Sequence, residues 1–394
     1  MPNHASSLNH PSARRGRAVK AAAGLSLVSL FACSSAFALE YTSSVFVSNL
    51  NSPRGLAFSP DGALYIAEAG IPEGDGPSTL IRGVPNILTN TGSVTLFYQG
   101  VQTRVLQGLP SLYDTGSLEA VGPNDVTFGA DGKLYVTIGA GFDPAVRTTD
   151  LAPNGINLGR VSYVGGSYDV GGYEATENPA GGPIDSNPWR AVAHDGGLLV
   201  TDAGGNSLLN IAADGTISTI TTFPGRDVGG GFPSDAVPTG LAVGPDGNFY
   251  VGQLTGFPFT EGESQIFQVQ PDGTTTVFAT GFTQISSLAF GDDGSLYVLE
   301  YDSNGLLVPG DGSALIRLGT DGSRTTIFSE GLVQATGLAI GPDGAFYVSN
   351  YGTQTGTGEV LRIAAVPEPE TYALMLAGLI AVGVMARKRR NAQA

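Results

Sequence analysis

Reactive side chains are scarce in this sequence, which has one cysteine, three histidines and one tryptophan in 394 residues. The cysteine is Cys33, so no disulfide can form within the chain, and its stability must come from packing. His194 is the only histidine after residue 10, and it precedes an Asp-Gly turn, where we expect a solvated side chain. Mechanisms in which a histidine activates a serine or a cysteine therefore lack an evident base.

Charged residues are also few, at 14% of the chain, and the basic ones are concentrated at the two ends. The segment from Leu39 to Val366 has 11 basic and 33 acidic residues, a net charge of −22. A surface this acidic repels phosphate backbones, so nucleic acid is not expected as a partner. Hydrophobic residues make up 41% of the chain, enough for a large core, and the segment is expected to fold.

Residues 1–38 have the three regions of an export signal. Basic residues precede an apolar run over 21–32, and Ala36 and Ala38 form a small-x-small cleavage site. We therefore expect cleavage after Ala38. The alternative is a lipoprotein site over 30–33, at which Cys33 would be acylated; the phenylalanine inside it is bulkier than such sites usually accept.

The C-terminal residues combine three features in a fixed order. Pro367, Glu368 and Pro369 come first, an apolar run covers 372–386, and four basic residues follow. A helix over the apolar run would extend about 22 Å, short for a stable bilayer crossing but adequate for transient membrane insertion. The basic residues would hold its end in the cytoplasm. This combination resembles the PEP-CTERM sorting signal of Gram-negative bacteria.

The resemblance implies recognition by an exosortase-type sorting enzyme and removal of the tail, here residues 366–394. It also implies delivery to the periplasm, the outer envelope or an extracellular polysaccharide matrix. The alternative, an ordinary membrane anchor, differs only in whether the tail is cut.

The segment 39–365 repeats a short template. Residues 55–66, 240–251 and 337–348 align around a Pro-Asp-Gly turn, and three more copies turn at Asp-Gly dipeptides 47 to 70 residues apart. Each copy predicts a β-hairpin, because glycine supplies the positive φ that the turn requires. A second hairpin follows most copies, and four short strands per unit are typical of a propeller blade. The sequence thus predicts an all-β fold, a six-bladed β-propeller.

The two ends of the repeat region complement each other. The last copy stops after its third strand, at 359–363, and the first copy is preceded by an orphan strand at 43–47. That orphan matches the fourth strands of later blades, at 275–279 and 325–329. We therefore predict that the N-terminal strand completes the last blade and closes the ring, whereas an open solenoid would need capping repeats.

Long insertions separate the repeats on one face, opposite the Asp-Gly turns, which we call the upper face. They cover residues 70–91, 110–121, 140–157, 171–186, 225–236 and 254–263. Short turns on one face and long loops on the other favour a binding face around the channel mouth. The alternative is loop growth without function.

Several segments of the body also carry a family resemblance. They are Leu50–Phe58, Gly122–Val126, Ile184–Trp189, Thr201–Ser207 and Val251–Phe259. With these segments the chain resembles, from about Ser43 to Ile363, the ScyD/ScyE family, which is associated with biosynthetic clusters for the pigment scytonemin. The resemblance implies an exported propeller, similar to NHL and SMP-30 propellers, with no settled catalytic activity.

Carboxylates are the candidate metal ligands. The second strand of each blade ends at an equivalent position, occupied by Glu68, Ile138, Asp202, Gln253, Glu300 and Asn350. Glu68, Asp202 and Glu300, with Asp125 nearby, could hold Ca²⁺, which takes six to eight oxygen ligands. Alternatively, they satisfy backbone groups of loops at the strand ends. A second calcium-like spacing runs from Glu300 to Asp311, without the flanking helices of such loops.

Six residues are candidates for ligand binding at the channel mouth: Arg54, Asp125, Trp189, Gln253, Phe257 and Phe259. Phe257 and Phe259 lie in a proline-containing insertion and would suit a flat or glycan-like ligand. Trp189 could pack in the core or stack on a ligand, and Arg54 could pair with an acid or hold an anion.

Two functions remain open at this stage. The first is a non-catalytic binding module at the envelope for a small metabolite, a glycan or a protein. The alternative is a Ca²⁺-dependent hydrolase or lactonase of the gluconolactonase type, with Glu68, Asp125, Asp202 and Glu300 around the cation. The Glu-Gly-Pro-x-Trp opening of those enzymes is missing here. No catalytic residue is assigned, and Ca²⁺ is the one candidate cofactor.

Overall fold

The computed structural model describes residues 40–229, 231–307, 312–366, 378–380, 382 and 391. The predicted signal-cleavage residues Ala36 and Ala38, the sorting residues Pro367, Glu368 and Pro369, and Asp311 lie outside this part. So does most of the apolar run 372–386. Within the described residues, no helix combines the length and the apolar character that crossing a membrane would require.

Six antiparallel sheets follow one another along the chain. Each sheet contains four main strands, arranged side by side from the innermost to the outermost as in a propeller blade. The first blades start from their innermost strand as follows. Blade 1 contains β2 (Pro53–Phe58), β3 (Leu64–Glu68), β5 (Val84–Tyr98) and β6 (Val101–Asp114), with the short β4 (Ser78–Ile81) and β7 (Ala120–Val121) at its edges. Blade 2 contains β8 (Pro123–Phe128), β9 (Leu134–Ile138), β10 (Arg160–Tyr163) and β11 (Gly166–Tyr168). Blade 3 contains β12 (Pro188–His194), β13 (Gly197–Asp202), β14 (Ser207–Ile211) and β15 (Ile217–Thr222).

The remaining blades repeat the pattern. Blade 4 contains β18 (Pro238–Val243), β19 (Phe249–Gln253), β20 (Ser264–Val269) and β21 (Thr275–Phe282). Blade 5 contains β22 (Ile285–Phe290), β23 (Leu296–Glu300), β24 (Ala314–Leu318) and β25 (Arg324–Phe328). Blade 6 contains β26 (Gly337–Ile340), β27 (Phe346–Asn350), β28 (Thr355–Ala365) and β1 (Tyr41–Asn51). The insertions add the hairpin β16 (Arg226–Asp227) and β17 (Pro233–Ser234), the helix α1 (Val170–Glu177) and 3₁₀ turns at Pro144–Arg147 and Asn154–Asn157.

The ring closes as the sequence predicted. The N-terminal strand β1 pairs antiparallel with β28, with Ser43 opposite Ile363 and Val45 opposite Leu361. The innermost strands of successive blades contact each other around the whole ring, including β26 with β2. The fold is therefore a six-bladed β-propeller whose last blade takes its outer strand from the N-terminal end of the body.

The Asp-Gly turns join the two innermost strands of each blade. Their glycines have φ values between 73° and 84°, a region that favours glycine. In four of the six turns the aspartate also accepts a hydrogen bond from the backbone N–H two residues later, as Asp131 does from Lys133 and Asp246 from Asn248. Tyr135, Tyr250 and Tyr347 donate their hydroxyls to the same aspartates. In these three blades, the aspartate and the tyrosine together fix the turn.

The core lies between the blades. In each blade, the second strand has at its middle a β-branched residue that is fully or almost fully buried. These residues are Ile66, Val136, Val200, Val251, Val298 and Val348. Aromatic rings then join neighbouring blades edge to face, as Tyr65 meets Phe128 and Tyr250 meets Phe290. Burial of these side chains, at about 25 cal/mol per Å² of apolar surface, stabilises the ring in the absence of disulfides.

A second set of contacts joins the blades around the channel. Two residues before a buried aliphatic residue of the innermost strand, short polar side chains donate to a backbone carbonyl where the next blade begins. Asn124 donates to Pro188, Thr239 to Ile285, Ser286 to Ala335, and Thr336 to Pro53. The inner ring of strands is therefore held by side-chain hydrogen bonds as well as by packing.

Candidate ligand-binding site

The structure places the predicted strand-end residues at the last position of the second strands, and all six are buried. Four of them accept a hydrogen bond from the N–H of a residue shortly before the innermost strand. Asn51 donates to Glu68, Asn187 to Asp202, Thr283 to Glu300, and Val333 to Asn350, over distances of 2.6 to 2.8 Å. These side chains therefore hold the segments that lead into the innermost strands; for Glu68 that segment is the end of β1.

The carboxylates predicted as calcium ligands also accept hydrogen bonds from other groups. Glu68 accepts from Ser93, Thr95 and Arg104. Asp202 also accepts from Ser186 and from two glycine N–H groups. Within the part of the chain that the structure describes, no group of three or more histidine, cysteine or acidic residues could hold a metal ion. Glu68, Asp125, Asp202 and Glu300 are not brought together, so these residues do not fit a shared Ca²⁺ site.

The six predicted ligand-binding residues lie in four separate places. Asp125 is buried against Arg190 and the N–H of Ala191, and burial raises its pKa to about 6 against the lowering effect of Arg190. Gln253 is buried at the end of β19 and accepts from the N–H of Gln265.

Arg54 and Trp189 lie together at the channel, where the guanidinium carbon is 5.9 Å from the ring centroid. Phe257 and Phe259 line a cavity on the upper face between blades 3 and 4.

That cavity, which we call the upper cavity, has a volume of about 570 Å³. Five of the six insertions predicted for the upper face contribute to its lining, through Arg82, Gly141, Asp185, the segment 232–235 and the segment 254–259. Loops that lie far apart in the sequence thus meet at one recess. Its volume suits one or two rings of a small ligand.

Three phenylalanines form one wall of the upper cavity. The rings of Phe232 and Phe257 are nearly parallel, with centroids 6.1 Å apart and planes 7° apart, and Phe259 meets Phe257 edge to face. Phe257 is 57% exposed and Phe232 46% exposed. Aromatic faces held open to solvent at the rim of a recess are available for stacking on a ligand.

The hairpin β16–β17 positions Phe232. Arg226, at its base, donates to the carboxylate of Glu263 at 2.7 Å and to the Glu263 carbonyl. At the tip, Asp227 accepts from the N–H groups of Gly229 and Gly231. The hairpin is therefore tied to the loop that leads into β20 of blade 4, and it holds its aromatic ring beside Phe257.

Polar groups in the lining lack partners. The hydroxyls of Ser234 and Thr255, and one carboxylate oxygen of Asp185, are buried without a hydrogen-bond partner among the described residues. Gly204 makes room for Asp185, because a Cβ at position 204 would lie 2.6 Å from that same oxygen. Buried polar groups without a partner are costly, so this recess is built for a polar ligand or for ordered water.

The electrostatics of the upper cavity are acidic. Burial raises the pKa of Asp185 to about 6, and the carboxylates of Asp202 and Asp235 add to this against the lowering effect of Arg82. Arg82 lies 3.4 Å from Asp185, but its side chain is 78% exposed, so the pair is weak. Glu174 of α1 is also buried, and its pKa is raised to about 7 by burial and by the carboxylate of Asp202.

Sequence reasoning missed Arg82, Asp185, Phe232, Ser234 and Thr255. All five fall in the predicted insertions, and Asp185 and Thr255 also lie in the segments Ile184–Trp189 and Val251–Phe259. None belongs to the repeat, so no template pointed to it. The signal was the exposed phenylalanine in a glycine-rich insertion at 225–236, which packing alone does not require.

Comparison with known proteins adds the following. Residues 365–390 match the family model described as a PEP-CTERM protein-sorting motif, so the predicted sorting signal is confirmed. The motif indicates export in Gram-negative bacteria and implies recognition by an exosortase-type enzyme. No curated protein matches the chain.

Solved structures resemble the chain at low identity. A streptogramin B lyase is 13% identical over 83% of this chain and 98% of its own, with a TM-score of 0.47. A glucose dehydrogenase is 15% identical over 82% of this chain and all of its own, with a TM-score of 0.47. The calcium-binding protein regucalcin from Agrobacterium tumefaciens is 16% identical over 82% and 97%, with a TM-score of 0.42. Such distant likenesses assign no activity to this chain.

Proposed function

We propose that this chain is an exported, non-catalytic binding propeller that holds a neutral, polyhydroxylated ligand, such as a sugar residue of a glycan, in the upper cavity. The observation that carries the proposal is the pairing of an open aromatic wall, led by Phe257, with the unpartnered oxygens of Asp185, Ser234 and Thr255. A sugar ring has one apolar face and a rim of hydroxyls, which matches these two kinds of surface.

The negative charge of the body and of the upper cavity favours a neutral ligand in the upper cavity. The body has a net charge of −22, and Asp185 and Asp235 line the upper cavity against the single exposed cation of Arg82. An anionic ligand would be repelled, whereas hydroxyl groups can donate to the carboxylates. The unpartnered Oδ1 of Asp185 would accept such a hydrogen bond and recover the free energy that its burial costs.

The non-catalytic role is supported by the lining itself. Among the described residues that line it, none is histidine, cysteine or lysine, and the strand-end carboxylates Glu68, Asp202 and Glu300 hold backbone groups that precede the innermost strands. The carboxylates proposed for a Ca²⁺-dependent hydrolase therefore have structural partners already. The ScyD/ScyE-like segments stay part of this proposal, because that family implies an exported propeller without a settled activity.

Location fits the same ligand class. The sorting motif points to export, and we propose that residues 1–38 and 366–394 are removed, so that 39–365 acts in the periplasm, at the outer envelope or in the extracellular matrix. Polysaccharide is abundant in all three. A propeller that binds sugars without cutting them would attach itself, or a partner, to that matrix.

The proposal can be tested by calorimetric titration of the purified protein with a panel of neutral oligosaccharides. We expect saturable binding that becomes about tenfold weaker in Phe257→Ala, because a stacked aromatic contact contributes about 1 kcal/mol or more beyond its buried area. Phe278→Ala is the matched control, since Phe278 is 44% exposed on β21 and does not line the upper cavity. Binding that Phe257→Ala leaves unchanged, or no binding of any neutral sugar, would exclude the proposal.

A further inference from the structure

Two blades place large side chains in the inner ring, where the other four place short polar ones. Two residues before a buried aliphatic residue of the innermost strand, blades 2, 4, 5 and 6 present Asn124, Thr239, Ser286 and Thr336, which donate to the next blade. At the equivalent position, blades 1 and 3 present the much larger Arg54 and Trp189. These two side chains are also the pair that meets at the channel. A repeat that breaks its own pattern twice, and brings both exceptions together, points to a site.

Arg54 is a buried cation without a counter-ion. The residue is 6% exposed, and its Nη2 donates to the carbonyl of Ala120 at 2.9 Å. Its Nε has no hydrogen-bond partner, and none of the ion pairs within 4.0 Å among the described residues includes Arg54. Burial lowers its pKa below the ordinary value, although Tyr301 and Glu119 oppose this. An unpaired buried charge is unfavourable, and a bound anion would neutralise it.

Two neighbours complete the surroundings of Arg54. Trp189 is half-buried, and its ring lies within cation–π distance of the guanidinium. Tyr301 is close enough to Arg54 for each to affect the pKa of the other; burial dominates and raises the pKa of Tyr301 to about 12. The Tyr301 hydroxyl therefore stays protonated at neutral pH and can donate a hydrogen bond to an anion.

We propose that Arg54 and Trp189 form a binding site for a small planar carboxylate at the channel of the propeller. The guanidinium would hold the carboxylate through its unpartnered Nε–H and its remaining donors, in the planar geometry that arginine offers to carboxylates. The body of the ligand would stack on the indole ring. This site is separate from the upper cavity, because neither residue lines it, so the two proposals stand or fall independently.

The chain contains its own reporter for this site, since Trp189 is its only tryptophan. Benzoate titrated into the purified protein should change the tryptophan fluorescence in a saturable way, and benzamide, its neutral counterpart, should not. Arg54→Gln should weaken benzoate binding about tenfold or more, because hydrogen bonds to charged groups are the strong ones. Arg317→Gln is the control: it removes one arginine that pairs with Asp293 beside an Asp-Gly turn, and benzoate binding should be unchanged.

Three outcomes would overturn the proposal. One is equal fluorescence changes with benzoate and benzamide on the unaltered protein, a comparison that needs no variant to fold. Another is benzoate binding that survives in Arg54→Gln when its melting curve matches that of the unaltered protein. Loss of binding in Arg317→Gln as well would indicate a general charge effect and would equally count against the site.

Discussion

Replacing Glu68 by alanine should loosen the closure of the ring. Its buried carboxylate accepts from the N–H of Asn51, the last residue of the closing strand β1, at 2.6 Å. It also accepts from Thr95 at 2.5 Å and from Arg104 at 3.0 and 3.1 Å, on the two outer strands of blade 1. One side chain thus joins blade 1 to the strand that completes blade 6.

The expected cost follows from these contacts. Removing one partner of a buried pair typically costs about 3–5 kcal/mol, because the other groups stay buried without a partner. Arg104 is 36% exposed and can regain water, which favours the lower end, about 3 kcal/mol. Unfolding entropy of about 2.1 cal/mol/K per residue over a body of roughly 330 residues converts this into a fall in Tm of about 4 °C.

Calorimetric melting of Glu68→Ala against Glu73→Ala measures the effect. Glu73 is the control, because it is exposed and its carboxylate accepts no hydrogen bond from the described residues. Adding Ca²⁺ or a chelator should leave both curves in place. An unchanged Tm in Glu68→Ala would refute the structural role of the carboxylate. A large calcium-dependent rise in Tm that Glu68→Ala abolishes would instead make Glu68 a metal ligand.

Three further predictions concern other contacts. Burial raises the pKa of Glu174 to about 7 and of Asp185 to about 6, so the folded state binds these protons more tightly than the unfolded state does. In urea titrations, the free energy of unfolding should therefore increase as the pH falls from 7.5 to 5, and it should increase less in Glu174→Gln. Arg226→Ala releases Glu263, and hydrogen exchange in the β16–β17 hairpin should accelerate. Thr336→Val leaves the Pro53 carbonyl unpaired and should cost about 1–3 kcal/mol in denaturant titrations.

The propeller could be predicted because its information is local and repeated. Each Asp-Gly turn reports one hairpin, and the half-blades at the two ends of the body contain complementary strands, so six blades and their closure follow without any knowledge of long-range contacts. The strand-end positions Glu68, Asp202, Gln253 and Glu300 follow from the same register. Their role does not, because the N–H groups that they hold lie outside the Asp-Gly hairpins, in segments whose paths the repeated template does not specify.

The binding sites were harder to predict for the same reason. The upper cavity combines Arg82, Asp185 and Phe257 from separate insertions, and only the folded ring brings those segments together. The pairing of Arg54 with Trp189, in contrast, could have been predicted from the sequence. Aligning the position two residues before the buried aliphatic residue of each innermost strand gives four short polar residues and two large ones, and the exceptions mark the channel site.

The central claim is that the upper cavity binds a neutral, polyhydroxylated ligand, and a crystal structure with the oligosaccharide that binds most tightly tests it most directly. The account predicts a sugar ring within about 4 Å of the Phe257 face, with hydroxyls donating to Asp185. A sugar bound in the channel or on the face of the Asp-Gly turns, with the upper cavity empty, would contradict it.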